Sequence, residues 1–191
     1  YRRAPEHPFP TAVDDAVTTY RWLLDQGIDP AHLTLAGDSA GGGLALATMV
    51  RLRDEGGRLP AAAVLISPWV DLALTGESLR SKAAEDPVLT LAQLQEFADL
   101  YLGETDPRTP LASPLYADLS GLPPLLIQAG TAEILLDDAA RLAERAGDAG
   151  MDVTLDIWPE MIHVWQGFAG FLPEAQTAVT QIGAFIRGRA G

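Results

Sequence analysis

Four short apolar runs punctuate the chain, over residues 32–36, 62–67, 124–129 and 153–158. None alternates cleanly between apolar and polar positions, and three are rich in Val, Ile or Leu. Continuous apolar runs of this length predict strands covered on both faces, the environment of a parallel sheet. Between them the apolar spacing becomes helical. Residues 11–26 set Val13, Val17, Tyr20, Leu23 and Leu24 on one face, begin at Thr11, a residue suited to capping, and stop at Gly27. Residues 40–55 stop at Gly56-Gly57, residues 138–149 stop at Gly150, and residues 174–187 form the last helical pattern. Strand, helix and strand in succession predict an α/β fold with helices on both faces of the sheet.

One interval breaks this rhythm. Residues 68–123 carry a helical pattern over 91–102 and loops rich in Pro, Asp and Ser. A structureless connection of that length is improbable in a compact fold, so the interval predicts a small substructure of its own. Placed after the carboxyl end of a strand, it is expected to act as a cap or lid over what lies there.

Composition narrows the class. The 191 residues, 48% hydrophobic and 20% charged, suffice for one domain with a substantial core and do not read as disordered. A net charge of −13 argues against nucleic acid or anionic lipid as partners and fits a small neutral substrate. No apolar run approaches a membrane span and no export signal is visible, so cytoplasm is the default expectation. The absence of cysteine excludes disulfides, thiolate catalysis and zinc–thiolate sites.

The candidate chemistry begins at Gly37-Asp38-Ser39-Ala40-Gly41, directly after the first apolar run and directly before a helical stretch. A serine with glycine two residues before and two after, between strand and helix, is the pattern of the nucleophile elbow in α/β-hydrolases. The turn demands strained dihedrals, and a Cβ at either flank is expected to collide with neighbouring chain. Such an elbow exposes the Ser39 hydroxyl at the carboxyl end of the sheet and aims the Ala40 N–H at a developing oxyanion. The plainer alternative is a strand–helix turn in which Asp38 or Ser39 caps a helix.

A nucleophilic serine needs a base, and three histidines are available. His32 precedes a strand at an Asp29-Pro30-Ala31 turn, and His7 lies in a proline-rich loop; surface and structural roles suit them. His163 follows residues 153–158 by a short loop, Pro159-Glu160-Met161-Ile162, which puts it at the carboxyl edge of the sheet. The order serine, acid, histidine along the chain then requires an acid between them. Glu133 is the first carboxylate beyond residues 124–129, where it is expected to orient the imidazole and stabilise the imidazolium. Asp137 is the reserve. It and Asp138 sit where the next helix begins, positions that also favour a carboxylate against the helix dipole.

Taken together, these residues resemble the hormone-sensitive-lipase-like esterases of the α/β-hydrolases, bacterial family IV, over nearly the whole chain. Tyr1-Arg2-Arg3-Ala4-Pro5-Glu6 is similar to that family's Tyr-Arg-Leu-Ala-Pro-Glu segment, with Arg3 in place of Leu. Gly37-Asp38-Ser39-Ala40-Gly41-Gly42 matches its elbow, and Met161-Ile162-His163 resembles its histidine loop. The resemblance implies an α/β-hydrolase fold, a mostly parallel sheet with a cap insertion over 68–123. It implies a carboxylesterase acting on short- to medium-chain acyl esters through Ser39, His163 and an acid, with no cofactor and no metal. The implied partner is a small-molecule ester, and a homodimer is compatible with it.

Two departures from the family pattern stand out. At the acid position the family more often has Asp followed by Pro-Leu, whereas this chain has Glu133-Ile134-Leu135, and the longer side chain calls for a slightly retracted backbone. The family's His-Gly-Gly-Gly loop, which supplies further oxyanion N–H groups, is absent together with the early strands; Gly41-Gly42-Gly43 follows the nucleophile and is not that loop. The resemblance therefore implies the C-terminal portion of a longer hydrolase. Two other readings share the fold: a lactone hydrolase with the same triad, and a non-catalytic small-molecule-binding relative. Retention of His163 argues against the latter, since a receptor needs no base.

Overall fold

The computed structural model describes residues 1–189. Its frame is a four-stranded sheet of β1 (Thr34–Asp38), β2 (Ala62–Ile66), β3 (Leu125–Gly130) and β4 (Val153–Trp158), in that spatial order and parallel throughout. All four carboxyl ends therefore lie along one edge. The register pairs Asp38 with Ile66 and Ile66 with Gln128, while β3 and β4 run on to pair Gly130 with Trp158. β3 is buried along its whole length and β2 along all but its last residue, as continuous apolar runs require.

The first strand lies two residues downstream of the expected 32–36. Pro30–His32 form a 3₁₀ turn, with the Asp29 carboxylate accepting the Ala31 N–H at 3.1 Å, so the chain becomes extended only at Thr34. β1 accordingly carries Gly37 and Asp38 to the lip of the sheet.

Helix α1 (Thr11–Asp25) buries Val13, Val17 and Tyr20 as predicted. Thr11 is its first helical residue rather than its cap; Pro10 precedes it and no side chain caps the end. Helices α2 (Ala40–Asp54) and α5 (Leu136–Asp148) cover one face of the sheet, where Leu46, Met49, Leu142 and Ala146 pack with Ala63, Leu65, Leu125 and Ile127. On the other face lies α6 (Pro173–Arg189), and Gln128 donates to its Ala178 carbonyl at 3.4 Å. Side chains alternate across a strand, so Gln128 facing α6 follows from Ile127 facing α5.

Residues 68–123 contain α3 (Ser78–Ser81) and α4 (Leu91–Leu102). α4 opens with a capping box: Thr90 Oγ1 accepts the Gln93 N–H at 3.3 Å while Gln93 Oε1 accepts the Thr90 N–H at 3.0 Å. Its inner face, Leu94, Ala98 and Leu102, packs with Trp69, Leu79 and Ile134, which fastens the segment over the carboxyl ends of the strands. Among the described residues, no helix is long and apolar enough to cross a membrane.

Candidate active site

β1 ends at Asp38 and α2 begins at Ala40, leaving Ser39 alone to make the turn. It does so at φ 53° and ψ −122°, a conformation that L-residues adopt only under constraint. The constraint is visible on both sides of the residue. Its N–H donates to the Ile66 carbonyl at 2.9 Å, and its carbonyl accepts the N–H groups of Gly42 and Trp69 at 3.0 and 2.9 Å. The N–H of Ala40, at the first position of α2, has no intrahelical acceptor and carries the positive end of the helix dipole.

The glycines around this turn divide differently from the expectation. A Cβ on Gly37 would collide with the Gly41 carbonyl, and one on Gly43 would collide with the Trp69 carbonyl. On Gly42 it would sit 2.9 Å from Pro68 Cβ. Gly41, by contrast, meets nothing within 4 Å. Close packing thus falls on Gly37 and on the two glycines after the pentapeptide, because the first turn of α2 runs against the 67–69 chain.

The acid and the histidine come from the next two strand ends. Past β3, Glu133 is fully buried, and its Oε1 accepts the Gly130 N–H at 2.6 Å. Its Oε2 lies 2.8 Å from Nδ1 of His163, which is itself only 7% exposed. The two loops are laced together: Thr131 N–H donates to the Trp158 carbonyl, Ala132 N–H to that of Met161, and Glu160 N–H to Thr131 Oγ1. A Cβ on Gly130 would collide with the Met161 carbonyl, so this crossing needs glycine at the end of β3.

Asp137 and Asp138 are engaged elsewhere. Asp137 Oδ2 accepts the Ser78 N–H at 2.8 Å. Asp138 Oδ2 accepts the N–H groups of Val70 and Asp71, both at 2.9 Å, and its Oδ1 meets Arg141 at 3.1 Å. Neither caps its own helix, so their role is to tie the start of the 68–123 segment to α5. Burial pushes the Asp138 carboxyl up to about 7, aided by the charge of Asp71 and opposed by the two N–H groups and Arg141. Burial acts the same way on Asp71, but hydrogen bonds from Thr75, Arg141 and Tyr116 outweigh it and hold that carboxyl below its usual range. His7 and His32 are exposed.

Beside Ala40 opens an apolar cavity of about 310 Å³, walled by Trp69, Leu72, Phe97, Leu100, Tyr101 and Leu111. The wall supplied by α4 is its outer face, Phe97 and Leu100, because the inner face is used in packing. Sequence reasoning passed over Ser67, whose fully buried hydroxyl lies 3.2 Å from Glu133 Oε1; the Ser67-Pro68 step after an apolar run was the available signal.

Comparison with known proteins places the chain in a family. The chain belongs to the alpha/beta hydrolase fold family, which matches residues 1–167. It is 55% identical over 191 residues to an acetyl-hydrolase of Streptomyces hygroscopicus and 42% identical over 186 residues to an esterase of Acinetobacter venetianus. Among solved structures, an esterase from the bacterial hormone-sensitive lipase (HSL) family superposes with a TM-score of 0.98 at 54% identity, covering 100% of this chain. The esterase EstE5, solved after soaking with p-nitrophenyl butyrate, does so with a TM-score of 0.97 at 49% identity. Within the α/β-hydrolases the chain is thus hormone-sensitive-lipase-like. It spans 64% of the length of the acetyl-hydrolase and of both structures, and 61% of the Acinetobacter esterase.

Proposed function

We propose that the protein is a carboxylic ester hydrolase acting on short- to medium-chain acyl esters through an acyl-serine intermediate. The observation that carries this reading is the buried Glu133 carboxylate 2.8 Å from His163 Nδ1, on loops that leave the same edge of the parallel sheet as the Ser39 elbow. A buried acid holding one ring nitrogen leaves the other, Nε2, as a base with fixed aim.

In this scheme His163 Nε2 takes the Ser39 proton as Oγ attacks the ester carbonyl. The carbonyl oxygen becomes an oxyanion that accepts the Ala40 N–H, and Glu133 stabilises the imidazolium. His163 returns the proton to the departing alcohol. Water, deprotonated by the same nitrogen, then cleaves the acyl-enzyme and regenerates Ser39. Asp137 is not the acid of this scheme, since its carboxylate is directed to Ser78. The cavity beside Ala40 receives the acyl chain, and residues 68–123 serve as the lid above it.

The test compares p-nitrophenyl butyrate hydrolysis by the protein and by Ser39→Ala, with circular dichroism verifying that both fold. Release of nitrophenol by the parent alone is expected. Equal release by the variant refutes Ser39 as nucleophile; silence from a folded parent is followed by the same assay with the upstream oxyanion loop of the longer relatives supplied, and continued silence there favours a binding role. The ratio of lactone to linear-ester turnover separates the esterase reading from a lactone hydrolase.

A further inference from the structure

Ser67 follows β2 and takes no part in the scheme above. Its backbone lies at φ 44°, in the left-handed region, and its N–H donates to the Gln128 carbonyl at 2.7 Å. Its side chain is fully buried and stands between the acid and the histidine loop. Oγ donates to Glu133 Oε1 at 3.2 Å and accepts the Val164 N–H at 3.1 Å. A hydroxyl has one proton and two lone pairs, so both bonds form together without competition. Val164 immediately follows His163 and is itself held at φ 56°. The ends of β2, β3 and β4 therefore meet at one oxygen atom.

On the catalytic reading given above, we propose that Ser67 is a positioning residue, its hydroxyl clamping the Glu133 carboxylate and the His163-bearing loop into one geometry. The clamp acts at both ends of the Glu133–His163 pair. Together with the Gly130 N–H at 2.6 Å, it holds the carboxylate oxygen that does not touch the imidazole, which sets the direction of the one that does. It also fixes the backbone on which the imidazole is carried, and with it the aim of Nε2. A buried pair with one mobile member leaves its proton poorly shielded from exchange with water and its base poorly aligned for proton transfer. Without the hydroxyl the Gly130 N–H alone holds Oε1, and the Val164 N–H loses its acceptor.

Two variants separate the hydroxyl from the turn. Ser67→Ala removes the hydroxyl, and Ser67→Gly removes it while relieving the positive φ, so the glycine variant retains the fold where alanine is strained. The first readout is exchange of the His163 Nδ1 proton with water, followed by NMR of nitrogen-15-labelled protein, which requires no hydrolysis. The second is kcat and KM on p-nitrophenyl butyrate. Exchange at least roughly tenfold faster in both variants is expected, with kcat lowered about tenfold and KM within about twofold. Unchanged Nδ1 exchange in Ser67→Gly overturns the proposal and leaves Ser67 a turn residue only. If the parent hydrolyses no ester, kcat and KM are not read, and the exchange comparison alone decides what the Ser67 hydroxyl does.

Discussion

Replacing Glu133 by glutamine tests the site with almost no change in volume, and the surroundings of the carboxylate dictate what the amide must lose. Oε1 accepts the Gly130 N–H at 2.6 Å, and Oε2 faces His163 Nδ1 at 2.8 Å. A carboxylate accepts at both oxygens, whereas an amide accepts at one end and donates at the other. If the amide oxygen faces Nδ1, the NH2 group opposes the Gly130 N–H, donor against donor, in a site with no exposure. If the oxygen stays with Gly130, the NH2 group faces Nδ1. The ring proton then moves to Nε2, which can no longer take a proton from Ser39.

The first orientation costs about 2 kcal/mol for an unsatisfied buried group. For a chain of this size that lowers Tm by roughly 4–8 °C. The second orientation spares stability and lowers kcat by roughly 10²–10⁴-fold through the wrong tautomer and the missing charge. Thermal unfolding by circular dichroism and turnover of p-nitrophenyl butyrate are therefore measured on the same sample of Glu133→Gln. At least one of the two must fall by these amounts. A variant within 1 °C of the parent in Tm and within threefold in kcat, limits set well inside those estimates, refutes both the geometry and the role. Asp137→Asn is the control: its oxygen still accepts the Ser78 N–H, and kcat stays within about twofold.

Gly37→Ala forces a side chain into the Gly41 carbonyl and is expected to prevent stable folding. Gly41→Ala meets no atom within 4 Å and, as a helix residue, gains up to about 1 kcal/mol; paired thermal melts decide. The Asp138 carboxyl, pushed up to about 7 in the fold against an ordinary value of 3.8, binds its proton more tightly folded than unfolded. Its contribution to stability is therefore fully present below about pH 4 and declines as pH rises toward 7. Urea midpoints at pH 5 and 7.5 are expected to differ less in Asp138→Asn than in the parent, and an identical difference in the two excludes Asp138 as a source. Trp69→Ala opens the cavity beside Ala40, so the octanoate-to-butyrate ratio of kcat/KM on p-nitrophenyl esters rises by about fivefold or more. An unchanged ratio removes the cavity from the acyl path.

The sheet was legible because its signal is local. Buried parallel strands must be continuously apolar, and three of the four runs coincide with strands to within a residue at either end. The first was misplaced by two residues because Pro30 and the Asp29 cap favour a 3₁₀ turn over extension, a competition that apolarity does not register. Chain order brought Glu133 ahead of Asp137 for a simple reason: the first carboxylate beyond β3 is the one that the β3–β4 register sets beside the loop after β4. The occupation of Asp137 and Asp138 was not legible, since their partners, Ser78, Val70 and Asp71, lie 59 to 68 residues away. Nor was the freedom of Gly41, which depends on the direction in which α2 leaves the turn.

What the sequence hides most completely is the strain. Among the described residues, five that are not glycine have positive φ: Ser39, Ser67, Leu74, Glu160 and Val164. Four of them lie just past the carboxyl ends of strands, Ser39 after β1, Ser67 after β2, and Glu160 and Val164 after β4. No local preference places serine, glutamate or valine there, at a cost of about 1–3 kcal/mol each. Each is held by a bond from another strand end: Ser39 by Ile66 and Trp69, Ser67 by Gln128, Glu160 by Thr131, and Val164 by Ser67. The strain is thus supported by the register of the sheet and not by the loops that carry it. Loosening any one strand end would relax its neighbours toward ordinary dihedrals, swing Ser39 or His163 out of line, and gain stability locally while losing the alignment on which proton transfer depends.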